Sequence, residues 1–318
     1  MVGECLTRPL SERNDAFTCL VPPPPGVIGA RRPSHRERTP TVRRSLRSWL
    51  GLALSTILVA GGIVASPPTA SAAPFTVLIF SKTAGFRHGS ITPGIAAIQQ
   101  LGAANGFTVE ATEDAAQFTD ANLDRFAAVI WLSTTGDVLN AAQQAAFERY
   151  ITGGGGYVGV HSASDTEYDW QWYGGLVGAY FASHPAEQNV TVKVADQVHP
   201  STAMLPQRWN RFDELYNYRT NPRGNAHVLA TLDESTYTGG SMGADHPISW
   251  CQNYSGGRAW YTGLGHTDAS YTEANFRQHL LGGIRTAAAR STPTVVPPSP
   301  AASSRWNWPR ARPRPASR

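Results

Sequence analysis

The apolar run Gly156-Tyr-Val-Gly-Val160 ends directly on His161 and continues as Ser162-Ala163-Ser164-Asp165. In an open parallel sheet, ligands bind beyond the carboxyl ends of the strands, so a histidine placed there faces a crevice. A single histidine at such a place is as readily a packed residue bonded to backbone. His161 is not alone, because eight of the nine histidines fall between residues 73 and 290. Arg87-His88 follows an apolar strand through Thr83-Ala84-Gly85, and Gly263-Leu264-Gly265-His266 sets another histidine just past the strand-like Arg258 to Tyr261. Glu214, within Asp213-Glu214-Leu215-Tyr216, can orient a histidine, hold a metal or act as a base, or be a solvated strand end.

His161, His266 and Glu214 therefore form the candidate core. It is read either as a set of acid/base groups or as a two-histidine, one-carboxylate site for a divalent metal such as zinc, manganese or iron. His88, Asp165, His184 and His246 would line the pocket and hold hydroxyls. His184, His199 and His246 each precede a proline, which fixes them in an extended or turn conformation. His184 and His246 are favoured because they flank glycine-rich or aromatic loops. Tyr168, Trp170, Trp172 and Tyr173 crowd in after Asp165. Aromatic faces with polar tips suit sugar rings, which assigns Tyr168 and Trp170 to a carbohydrate ligand; helix packing against a sheet would account for about half of the four.

The elements that must position these residues alternate. Phe75 to Phe80, Phe107 to Ala111, Ala128 to Leu132 and Tyr157 to Val160 read as buried strands. Ile91 to Ala104, behind a Ser90 cap, Leu123 to Phe126 and Asn140 to Thr152 read as helices. This pattern predicts an α/β domain, a mostly parallel sheet with helices on both faces. After Gln188 the strand-like segments Val190 to Val194, Trp209 to Phe212, Ala226 to Ala230 and Arg258 to Tyr261 arrive close together, which predicts an added antiparallel region before a closing helix, Ala274 to Ala289. The run Gly153 to Gly156 follows a helix and precedes a strand, the reverse of a phosphate-binding loop, and reads as a left-handed helix stop.

Charge separates the ends from the middle. Residues 73–290 carry 13 Lys and Arg against 19 Asp and Glu, a balance of −6 within a chain of net charge +4. The basic character belongs to the termini, so a nucleic-acid partner is not expected. Arg43, Arg44 and Arg47, the apolar stretch Trp49 to Ala65 and Ala70-Ser71-Ala72 read as an export signal spanning 43–72. Residues 1–42 read as a non-native or disordered extension, and residues 291–318, rich in Pro, Ser and Arg, as a disordered tail. The expected product is secreted and extracellular with no membrane anchor. Cys251 is the one cysteine of the 73–290 unit, which rules out an internal disulfide there.

The motifs Gly85-Phe86-Arg87-His88, Gly159-Val160-His161-Ser162-Ala163-Ser164-Asp165, His184-Pro185, His199-Pro200, Asp213-Glu214-Leu215-Tyr216, His246-Pro247-Ile248-Ser249-Trp250 and Gly265-His266-Thr267 together resemble the trehalose-utilisation (ThuA-like) domain. The resemblance spans Phe75 to Ala288 and implies a flavodoxin-like fold similar to the class I glutamine amidotransferases. It also implies that His161 stands where those enzymes carry their nucleophilic cysteine, that His266 keeps the position of their histidine, and that glutamine hydrolysis is not the activity. The link to disaccharide use implies a sugar or oxidised-sugar substrate. The leading expectation is a carbohydrate-active hydrolase, lyase or isomerase. A non-catalytic sugar-binding or accessory module is the alternative, and a cysteine or serine hydrolase a distant third.

Overall fold

The computed structural model of the chain describes residues 74–289. The expected extension, export signal and tail, with Ala73 and Arg290, lie outside the described residues. The strands are β1 Thr76–Phe80, β2 Thr108–Thr112, β3 Ala128–Leu132, β4 Gly156–Val160, β5 Phe181–Ser183, β6 Gln188–Val194, β7 Arg208–Asp213, β8 Asn217–Tyr218, β9 His227–Leu232, β10 His246–Tyr254 and β11 Gly257–Thr262. The helices are α1 Ile91–Asn105, α2 Asp120–Leu123, α3 Ala141–Thr152, α4 Gln171–Val177 and α5 Ala274–Ala288.

Nine strands form one sheet in the order β2-β1-β3-β4-β11-β10-β9-β6-β7. The first five pair in parallel, and the pairs from β11 to β7 are antiparallel. The antiparallel region thus continues the parallel sheet, as expected. All five residues of β3 and of β4 are buried, as parallel strands covered on both faces require. On one face Trp131 packs against Phe147 of α3 and Tyr173 of α4, with ring centroids 5.4 and 4.8 Å apart. On the other, Trp260 lies against α5 at Gly283, where an added Cβ would sit 2.4 Å from the indole.

Several local readings change. β10 is a full strand that the sequence conceals behind Pro247, and the proline is accommodated where the pairing with β9 shifts register. Its hairpin to β11 turns through Ser255 and Gly256, both left-handed at φ 47° and 94°, the twist that a two-residue hairpin loop favours. The short helix expected at Leu123 to Phe126 forms at α2 instead, where the Thr119 hydroxyl accepts from the Asn122 N–H. Ser90 precedes α1 without capping it, and its hydroxyl donates to the Gly265 carbonyl at 3.3 Å. The left-handed glycine of the Gly153 to Gly156 run is Gly154, at φ 93°.

Candidate active site

β4 ends between β3 and β11, and the chain leaves it through His161 in a left-handed conformation, φ 52°. A non-glycine residue in that region costs on the order of 1–3 kcal/mol and persists only where its surroundings fix it. Here the Tyr261 hydroxyl donates to the His161 carbonyl at 2.8 Å, and His161 Nδ1 lies 2.9 Å from the Gly263 carbonyl. That carbonyl only accepts, so the neutral ring carries its proton on Nδ1 and presents the Nε2 lone pair. The Tyr216 ring lies against the imidazole at 4.4 Å between centroids, and the side chain is completely buried.

Nε2 of His161 faces two further atoms. His266 Nδ1 is 3.1 Å away and Glu214 Oε2 3.3 Å, while the latter two are 3.2 Å apart. His266 comes from the loop after β11 and Glu214 from the segment after β7, the far edge of the sheet. Asp213 joins these elements, because its carboxylate accepts from the backbone N–H of Gly265 at 2.8 Å and of His266 at 3.0 Å. Asp213 is buried and neutralised by Arg211, whose Nη2 donates to it at 2.8 Å. His88, from the β1–α1 loop, completes the group, with ring centroids 4.7 Å from His161 and 5.2 Å from His266. One ligand atom from each of His88, His161, Glu214 and His266 lies within 4.8 Å of the others.

Each member has an outer partner. His88 Nδ1 is 3.3 Å from the Ser162 hydroxyl, His184 Nδ1 is 2.9 Å from Glu214 Oε1, and His266 Nε2 is 2.9 Å from Glu187 Oε1. Burial, reinforced by the neighbouring imidazoles, lowers His88 to about 3 and keeps it neutral. Burial opposes ionisation of Glu214, yet the hydrogen bonds and charge of His161 and His266 outweigh it and hold the carboxyl well below its ordinary range. Burial likewise disfavours charged His266, and Glu214 reverses the balance, raising that imidazole above its usual value.

The sequence matches the trehalose-utilisation description, ThuA, over residues 76–287. The chain belongs to the ThuA family. Among solved structures, a ThuA-like protein from Bacteroides uniformis is 24% identical with a TM-score of 0.60, covering 70% of this chain and 95% of that one. A ThuA-like protein from Parabacteroides merdae is 21% identical with a TM-score of 0.58, covering 70% and 94%. Both show the flavodoxin-like fold. A search of curated proteins found no match to the sequence.

This ThuA chain brings together His88, His161, Glu214 and His266 of the residues singled out in the sequence, with His184 one contact outward. Asp165 and Tyr168 stand nearby as a pair, the hydroxyl donating to Asp165 Oδ1 at 2.6 Å, with the Arg219 guanidinium 4.0 Å over the Tyr168 ring. Two expected pocket residues are elsewhere. Trp170 stacks on Trp172 and Tyr173, and its indole donates to Glu148 of α3 at 2.9 Å, so it belongs to the helix layer. His246 is fully buried between Glu234 and the Tyr216 carbonyl, at 2.7 and 2.8 Å. It pins the backbone two residues beyond Glu214 and lines nothing.

Glu187, Asp213 and Phe86 were missed as functional candidates. Glu187 lies in the same segment as His184-Pro185, which is the signal that would have found it. The hydrolase alternatives lose their nucleophiles. Burial pushes the Cys251 thiol up to about 11 on a strand, β10, away from the cluster. Ser162 is completely buried, and its histidine partner, at about 3, is too weak a base to activate it.

Proposed function

We propose that this ThuA protein is an exported carbohydrate-active enzyme, acting on a disaccharide or an oxidised-sugar derivative, with His161, Glu214 and His266 as its reaction centre. The observation that carries the reading is the triangle of basic atoms, 3.1 to 3.3 Å on a side, gathered at the carboxyl ends of the parallel strands. Such a group is suited to deprotonate a hydroxyl brought against it and, with His266 protonated, to donate to a carbonyl. The sugar class rests on the family's trehalose-utilisation character and on the polar and aromatic groups nearby, namely Asp165, Tyr168, His184 and the exposed Phe86. Export rests on the charged, apolar and small-residue pattern of residues 43–72.

The test is to incubate the purified chain with trehalose, other disaccharides and their oxidised keto derivatives, following products by NMR. Turnover is expected, and His161→Ala and Glu214→Gln should each lower it at least about a hundredfold. Saturable sugar binding without turnover would establish the accessory-module reading instead, and absence of both would overturn the carbohydrate assignment.

A further inference from the structure

We infer that His88, His161, Glu214 and His266 hold one divalent transition-metal ion of the zinc class. In the neutral rings the Gly263 carbonyl keeps the proton of His161 on Nδ1, and the Glu187 carboxylate keeps that of His266 on Nε2. His161 Nε2, His266 Nδ1 and Glu214 Oε2 then turn lone pairs toward one another across 3.1 to 3.3 Å. Atoms that only accept repel at that distance unless a proton or a metal ion lies among them.

The spacing fits such a cation. Ligands about 2.0–2.1 Å from a tetrahedral ion are about 3.3 Å apart, close to all three sides of this triangle. His88 supplies the next ligand: its Nδ1 is engaged by Ser162, which leaves Nε2 for the ion. Three imidazoles and one carboxylate select zinc, iron(II), cobalt(II) or nickel(II) over magnesium and calcium, which take oxygen ligands.

The outer partners are those a metal site requires. A ligating histidine donates its second N–H to a carboxylate or backbone carbonyl, which fixes its tautomer and strengthens its lone pair. His266 has Glu187 and His161 has Gly263, while the second oxygen of Glu214 is held by His184. His184 and Glu187 belong to one short stretch, His184-Pro185-Ala186-Glu187, so a single segment steadies two ligands. Bound there, the ion would act as a Lewis acid toward a carbonyl or hydroxyl oxygen. The inference deepens the proposed reaction centre and does not depend on the substrate being a sugar.

The experiment is elemental analysis of the full chain purified without chelator, followed by titration of the metal-stripped protein with zinc(II) and cobalt(II). About one equivalent is expected, with visible cobalt d–d absorption. His161→Ala and His266→Ala should lose the metal while circular dichroism stays unchanged. Glu187→Gln, which removes no ligand, should weaken affinity about 10- to 100-fold while the stripped protein stays folded with unchanged circular dichroism. Wild-type protein taking up no more zinc or cobalt than a folded His161→Ala/His266→Ala double variant would overturn the inference. Metal uptake without any conversion of carbohydrate would uphold it and refute the substrate assignment alone.

Discussion

His161 Nε2 and His266 Nδ1 meet at 3.1 Å although 105 residues separate them in the chain. Two devices make the meeting. The left-handed turn at His161 carries that ring off the end of β4, and Asp213 grips the backbone at Gly265 and His266 to carry the second ring toward it. Everything between these two nitrogens depends on which cation they share.

In metal-stripped protein that cation is a proton, and stability follows pH accordingly. His266 is raised above its unfolded value of 6.5, so its contribution is complete below that pH and is lost as pH rises through the folded value. Glu214 is depressed below its unfolded value of 4.5, so its contribution is present above that pH and is lost as pH falls through the folded value. His88, held at about 3, works the other way and draws stability down as pH falls below 6.5, so the signature of His266 is the alkaline decline: the stripped protein should melt at lower temperature as pH rises through the folded value of His266. His266→Ala should flatten the alkaline decline, as thermal scans across pH will show.

Metal uptake should move in the opposite direction with pH. A proton held on His266 Nδ1 must leave before that atom can ligate, so zinc binding measured at pH values below the raised folded value of His266 should release a proton and strengthen as pH rises. Calorimetric titration in two buffers of different ionisation enthalpy measures that proton. Uptake without proton release would show that His266 remains outside the coordination sphere.

Most of the fold was legible in the sequence because its parallel half obeys local rules. β1, β3 and β4 are uninterrupted apolar runs, and α3 opens with a capping box between Asn140 and Gln143. β10 was hidden because its proline contradicts strand propensity and is tolerated through a register shift that only tertiary pairing supplies. Within the site, histidines at strand ends declared themselves by position. Trp170 and His246 misled because an aromatic ring or an imidazole beside a loop has the same local sequence whether it faces a crevice or packs inward. Glu187 and Asp213 act through other residues, and that dependence has no signature along the chain.

His246 and Trp170 give a direct check on that distinction. His246→Ala removes a buried ring bonded at both nitrogens, and Trp170→Ala opens the stack between α3 and α4. Each should lower unfolding free energy by about 2–4 kcal/mol in denaturant titrations while metal content stays at the wild-type level. A His246→Ala protein that folds normally and loses the metal would return His246 to the site.

Asp213 should be far more costly to remove. Asp213→Ala removes the nearer carboxylate from the buried Arg211 guanidinium, whose side chain is 2% exposed and which keeps only Glu273 at 3.4 Å and the Ser270 hydroxyl, and frees two backbone N–H groups of the His266 loop. Breaking a buried pair from one side costs about 3–5 kcal/mol, enough to bring a domain of this size near its unfolding threshold. Denaturant midpoints measure the loss, and the surviving folded fraction should bind metal more weakly because His266 is no longer held.

Phe86 offers the most selective probe of the carbohydrate reading. It is 67% exposed, yet its backbone is held by the Thr135 hydroxyl, which donates to its carbonyl at 2.8 Å, and its ring stands edge-on to His88 at 4.8 Å. An aromatic face kept in water beside a buried polar cluster gains nothing for folding, so Phe86→Ala should change stability by no more than about 0.5 kcal/mol. If a sugar ring stacks there, the same substitution should weaken sugar affinity about tenfold, at unchanged metal content, and Phe86→Trp should restore it. Equal sugar affinity in wild type and Phe86→Ala would remove Phe86 from the binding surface and turn the search to Tyr168.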